Sequence, residues 1–304
     1  MTLRHAGVAF FAAVALAAAC AASCGRAAEV AEAAIAPVVA PGLRWELRLP
    51  KEEKVVYRGV VSFDSAGVGT ASMLYPAPNI AVGLIAVLVH GLTNEAAKKM
   101  QKDKMQDAAD QVLSPYQVVL ADFNYRDLMQ RGVERMATGG TRMIVENART
   151  PGAEWFVESL PVFALTQDQR ALVMENALTV YAPGAASAAA WQKTVKVVSF
   201  TKSGDDMTAF WTAEDGRNLK VESASLLAES LDIALGEAVS APAKGSEAYQ
   251  TFRYPEGGAE KMERGQLVAE RCHRRVIRTL RGGLLSVPAG DSAGSCDDAA
   301  PGAQ

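Results

Sequence analysis

The sequence predicts an α+β fold: an antiparallel sheet built from hairpins, packed with one long helix pair and a further helix near residues 217–236. Three observations carry that expectation. Strand-like segments rich in β-branched and aromatic residues come in groups joined by short turns. Segments of helical period lie between those groups. The regular strand-helix-strand alternation that marks a parallel α/β sheet is missing.

The first strands are expected near Trp45. WELRL and KVVYRGVVSF (residues 54–63) suit a pleated surface, and SAGVGT (65–70) supplies glycines for a turn back through ASMLY (71–75). Pro76 and Pro78 end that hairpin. Asn79 can then cap a helix that runs from Ile80 through Leu92 and on toward Pro115. Ala97, Met105, Ala108 and Val112 share one face of it, with Glu95 and Lys99 paired one turn apart on the outside. The stretch from Ile80 to Leu92 is apolar all round yet too short to span a bilayer, which implies burial or docking on a partner. A second helix, Pro115 to Met129, completes the pair.

From Glu154 the period drops to two. WFVESLPVFALTQDQRALVMENALTVYA reads as two long strands joined around Thr166–Gln169, and WQKTVKVVSFTK (191–202) adds another. Helical pattern resumes near Asp206. In NLKVESASLLAESLDIALGE, Leu219, Leu226, Leu227, Ser230 and Ala234 share a face, and Gly236 is placed as a C-terminal stop. YQTFRY and one longer strand within QLVAERCHRRVIRTL complete the pattern. The expected organisation is a signal segment (1–24), an Ala/Pro-rich tether (25–41), a single α+β domain (42–287) and a flexible tail (288–304).

Composition narrows the function classes. A length of 304 residues, 49% hydrophobic and 21% charged, provides ample apolar surface for a core. The net charge of -3 creates no whole-chain field toward nucleic acid or an acidic membrane surface. Any binding must be local.

Met1–His5 carries Arg4 and His5, and an unbroken apolar and small-residue run follows from Ala6 to Ala19, ahead of a zone of small residues and cysteines. That order is an export signal, and the run is short of the about 20 residues a membrane span needs. AAAC ending at Cys20 and AASC ending at Cys24 resemble the lipobox of bacterial lipoprotein precursors, although both have Ala where that family prefers Leu or Val. The resemblance implies acylation of Cys24, with Cys20 as the alternative. A lipid would anchor the protein without spanning the bilayer. Acylation at Cys24 leaves Cys272 and Cys296 as an even pair for a disulfide in an oxidising compartment, whereas acylation at Cys20 leaves an odd cysteine. Ordinary signal-peptidase cleavage around residues 22–28, without lipid, is the other outcome. The run before the Ala/Lys helix ending in Pro115 and Tyr116, and the later RTLRGGLLSVP, are similar to segments of uncharacterised proteobacterial envelope proteins. That resemblance implies a compartment and no activity.

GDSAG (290–294) has the spacing of a hydrolase nucleophile elbow, and LVHGL (88–92) is similar to the His-Gly segment of lipases. An elbow holds its serine between a strand and a helix, with acid and histidine later in the chain. SCDDAAPGAQ follows Ser292 instead, no histidine follows His273, and LVHGL lies within an apolar helical run. Esterase chemistry is therefore not expected. His90 and His273 with Cys272 fall short of a zinc ligand set, and Cys272 and His273 as strand neighbours would point to opposite faces. Phosphate, dinucleotide and calcium loops are missing. The sequence thus offers no catalytic residue, metal or cofactor.

One charge feature stands out: Arg271, Arg274, Arg275, Arg278 and Arg281. On a strand these fall on both faces, as at an edge that pairs with Glu260, Glu263 and Glu270. The sharper alternative is an anion-binding surface for lipid headgroups or an acidic partner. The expectation is an exported, lipid-anchored envelope protein facing the periplasm, with a binding or scaffolding role. Its partners would be the membrane, through the anchor, and another envelope protein or anionic headgroups, with nucleic acid excluded by export. The rivals are a periplasmic enzyme using carboxylates and a carrier of a lipid or apolar small molecule.

Overall fold

The computed structural model describes residues 43–61, 95–138, 140–146, 152, 154–185, 188–240, 248–271 and 273–289. Ten strands are described: β1 (Arg44–Arg48), β2 (Val56–Gly59), β3 (Thr141–Val145), β4 (Trp155–Leu165), β5 (Leu172–Tyr181), β6 (Trp191–Val198), β7 (Gln250–Glu256), β8 (Ala259–Arg271), β9 (Arg274–Thr279) and β10 (Leu284–Pro288). They form one sheet in the order β3-β1-β4-β5-β6-β10-β9-β8-β7, with β2 also on β4. The fold is α+β, as the sequence predicts, and its long pairings are antiparallel: β4 with β5, β5 with β6, and the β7-β8-β9-β10 ribbon.

Four short pairings are parallel instead. β10 lies beside β6, β3 beside β1, and both β1 and β2 lie along β4. β1 follows β4 as far as Glu158 and β2 resumes at Val162, so Pro161 falls in the gap between them. A residue without an N–H is tolerated where a ladder is already interrupted. Its carbonyl is satisfied by the Tyr125 hydroxyl, which donates at 2.9 Å. The expected return strand of β2, residues 71–75, lies outside the described residues.

The helices are α1 (Glu95–Asp110), α2 (Gln117–Ala121), α3 (Tyr125–Arg135) and α4 (Met207–Val239), and a 3-10 turn (Gln111–Tyr116) carries the chain through Pro115. The single helix expected over 115–129 is broken after Ala121. Asn124 takes an extended backbone and its side chain accepts from the Asp127 N–H at 2.9 Å, which starts α3 as a separate helix. The apolar half expected before α1 lies outside the described residues. The helices that pack as a pair are α3 and α4, which meet where Gly132 lies against Leu227.

α4 continues through Gly236 to Val239, correcting the expected stop. The left-handed glycine is Gly216, within a kink over Ala213–Gly216. Leu219, Leu226, Leu227, Ser230 and Ala234 are all buried, as their spacing predicts. They face a core that includes Trp45, Leu47, Phe163 and Met174 from the sheet and Leu128 from α3.

Polar groups on α4 connect it to separate parts of the fold. The Ser223 and Tyr57 hydroxyls are bonded at 2.6 Å, and Asn176, fully buried on β5, donates to Ser230 at 2.9 Å while accepting from Ser159 at 3.0 Å. Asp232 is buried and accepts from the N–H groups of Ala137 and Thr138, each at 2.9 Å, in the segment leaving α3. Arg142 grips the same segment through its carbonyls, donating to Val133 at 2.5 Å, Met136 at 3.3 Å and Thr138.

A second core lies on the opposite face, where Phe252 and Tyr254 cover Val173, Val198, Ile277, Leu285 and Val287. β8 makes this possible by changing partner at Gly265: residues before it pair with β7 and residues after it with β9. A Cβ at Gly265 would lie 2.5 Å from the Arg278 carbonyl oxygen, so only glycine permits that approach. The β7-β8 turn is held by Asp168, which accepts from the Gly258 N–H at 2.6 Å, the Thr166 hydroxyl at 2.6 Å and the Arg170 N–H at 3.0 Å. Burial opposes its ionisation, but these bonds and the Arg170 charge outweigh burial and hold the carboxyl below the usual range.

Two outcomes follow for stability. Asp232→Ala strands the buried Thr138 N–H and the part-buried Ala137 N–H and is expected to cost about 3 kcal/mol in urea unfolding, whereas Ser225→Ala on the exposed side of α4 stays within about 0.5 kcal/mol. For Asp168 the folded pKa lies below the unfolded one, so its contribution is present above the unfolded value and lost as pH falls through the folded value. Asp168→Asn should cost about 1 kcal/mol at neutral pH, discounted for exposure, and unfolding in acid should be shallower with pH for the variant than for the parent.

Candidate functional site

The interruption between β1 and β2 shapes the surface. Residues Arg48 to Glu52 separate two open clefts, one of about 310 Å³ over β4 and β5 and one of about 490 Å³ reaching α3. The first cleft is floored by Glu158, Leu160, Ala177 and Thr179, and the second is closed by Asn124, Tyr125, Arg126 and Glu146. Both have the size of ligand sites but lack the enclosure of one. Lys51 is exposed between them.

Charge on this sheet face is organised in pairs. Arg48 donates to Glu158 at 2.6 Å, Tyr181 donates to the other oxygen of Glu158 at 3.4 Å, and Arg44 pairs with Glu154 at 2.9 Å. Arg126 pairs with Glu146 at the rim. Glu46 is the exception: desolvation raises its pKa, and a shared hydrogen bond with Glu154 and that carboxylate's charge raise it further. The Glu46 and Glu154 carboxyls lie on the sheet face beside Arg44.

The predicted arginines are separated by a turn that the sequence reading did not place. What reads as one strand is β8 and β9, joined by a turn in which His273 has a φ of +60° and is exposed. Arg274 is largely buried, donating to the Val198 carbonyl at 2.8 Å and the Ser286 hydroxyl at 3.0 Å, with Glu229 3.8 Å away. Ser286 in turn donates to Glu229 at 2.9 Å. Arg275 pairs with Glu270 and Arg278 with Glu237, at 3.0 and 3.2 Å. Arg281 is exposed on the β9-β10 turn. The Arg271 side chain, Cys20, Cys24, His90, Cys272, Ser292 and Cys296 lie outside the described residues.

The expected pairing of these arginines with Glu260, Glu263 and Glu270 holds for Glu270; Glu260 pairs with Arg253 instead. Sequence reading missed the clefts. Their one signal was Pro161, a breaker inside an otherwise regular strand. Among the described residues there is no group of three His, Cys, Asp or Glu side chains able to hold a metal ion, and no helix long and apolar enough to cross a membrane. Comparison of the chain with protein-family models, curated proteins and solved structures finds no match.

Proposed function

We propose that the chain is an exported protein of the bacterial cell envelope, anchored by a lipid on Cys24, whose folded domain acts by binding or scaffolding. The observation that carries this reading is the order of residues from Met1 to Cys24: a short basic start, an apolar run, and AASC. About twenty residues then separate Cys24 from the first described strand, enough for a tether. The open clefts beside Arg48–Glu52, lined by ion pairs, suit reversible contact with a polar partner surface.

The rival reading, carboxylate catalysis, has the Glu46 and Glu154 pair in its favour. Against it, the pair lies on an open sheet face with Arg44 on one member, where water is not excluded. A binding role needs neither feature.

The test is metabolic labelling with radioactive palmitate and intact-mass measurement of the membrane-extracted protein. The expected mature chain begins at an acylated Cys24, and Cys24→Ser abolishes both label and membrane retention. An unmodified N-terminus at Gly25 or later contradicts the anchor. Labelling that survives Cys24→Ser and is lost in Cys20→Ser moves it to Cys20.

A further inference from the structure

One end of the sheet gathers features far apart in sequence. Trp45 lies beside Trp155 in parallel register, so β1 begins where β4 begins and where Val180 of β5 meets Trp191 of β6. The chain therefore enters the fold, at Leu43, at that end. β10 runs parallel to β6 with Leu284 beside Val195, which places the β9-β10 turn at the same end. Gln250 pairs with Gly265 and Gly265 with Thr279, which adds the start of β7. Glu237, bonded to both Lys193 and Arg278, adds the end of α4.

The surface there joins exposed apolar side chains to cations. Leu280 is 61% exposed on the β9-β10 turn and Tyr249 is 52% exposed ahead of β7. Arg281 follows Leu280, and Arg264 adjoins the Gly265 corner; both are exposed and without an ion-pair partner among the described residues. Of the nearby acids, Glu237 is engaged by Lys193 and Arg278 and Glu154 by Arg44, while Glu263 adjoins Arg264 in β8, where successive side chains point to opposite faces. The turn is tight, closed by Thr279 N–H to the Gly283 carbonyl at 3.0 Å and Gly282 N–H to the Thr279 carbonyl at 2.9 Å. A Cβ at Gly282 would meet nothing within 4 Å, so the tip projects into open space.

We infer that this end of the domain faces an anionic phospholipid surface, with Leu280 entering the interface and Arg264 and Arg281 meeting headgroup phosphates. The inference rests on the lipid-anchor reading for the domain's nearness to a bilayer. A tether of about twenty residues reaches at most about 70 Å and joins the fold at this same end. A projecting apolar tip flanked by unpaired arginines matches a bilayer, whose headgroups take the charge and whose interface takes the leucine.

The test is hydrogen exchange on the full-length chain carrying Cys20→Ser and Cys24→Ser, mixed with vesicles of phosphatidylglycerol or of phosphatidylcholine. Residues 280–283 are expected to exchange about fivefold more slowly with phosphatidylglycerol, the effect of about one arginine at a charged surface. Arg264→Glu with Arg281→Glu should remove that difference, and circular dichroism should report an unchanged fold because both side chains are exposed. Equal exchange on the two vesicles, or protection that survives in the double variant, overturns the inference. Protection by poly-glutamate and by neither vesicle also overturns it, in favour of an acidic protein. The chain tested has no N-terminal cysteine to acylate, so failure here is separate from failure of the anchor, which is read by mass on the unaltered protein.

Discussion

Asp232 is a buried carboxylate whose two oxygens are taken up by consecutive backbone N–H groups at the exit of α3, and the docking of α3, α4 and the sheet depends on it. A charge removed from water is tolerated only when its lone pairs are met by well-placed donors. Here the donors are fixed because Arg142 holds the carbonyls of the same segment from the other side. The segment is fastened at both poles of its peptide groups.

The same logic runs along α4. Ser223 reaches β2, Ser230 reaches β5, and Glu229 receives a hydrogen bond from β10. An apolar helix face alone permits sliding, because leucines fit many grooves. Polar keys do not, because each displaced donor or acceptor would be left unsatisfied in the core. They set the register of α4 over the sheet, and the leucines supply the burial. On the other face the β7-β8 ribbon turns at Gly265 and is clasped by Asp168, which leaves β1 and the first half of β4 to carry ion pairs.

Much of this was legible where local rules act alone. The alternation through Trp155–Leu165 and Leu172–Tyr181 gave two strands and their turn, and the spacing of Leu219, Leu226, Leu227, Ser230 and Ala234 gave the buried face of α4. Local pattern does not encode which strand lies beside which, so the parallel placement of β1 and β2 on β4 was not readable. Gly236 looked like a helix stop because glycine often is one, yet packing carried the helix on to Val239. The β8-β9 turn was missed because RCHRR lacks turn residues, and His273 accepts a positive φ there. The arginine cluster was visible as charge, but only the fold assigns Arg274, Arg275 and Arg278 to internal partners and leaves Arg281 exposed at a tip.

The most direct test of the role of Asp232 is native-state hydrogen exchange at the amides of Ala137 and Thr138. If these donors are held as the structure shows, they exchange only through global unfolding, with an opening free energy matching that of Leu231 in the middle of α4. Exchange orders of magnitude faster than Leu231, at rates typical of a surface loop, would contradict the claim that Asp232 fastens α3 to α4.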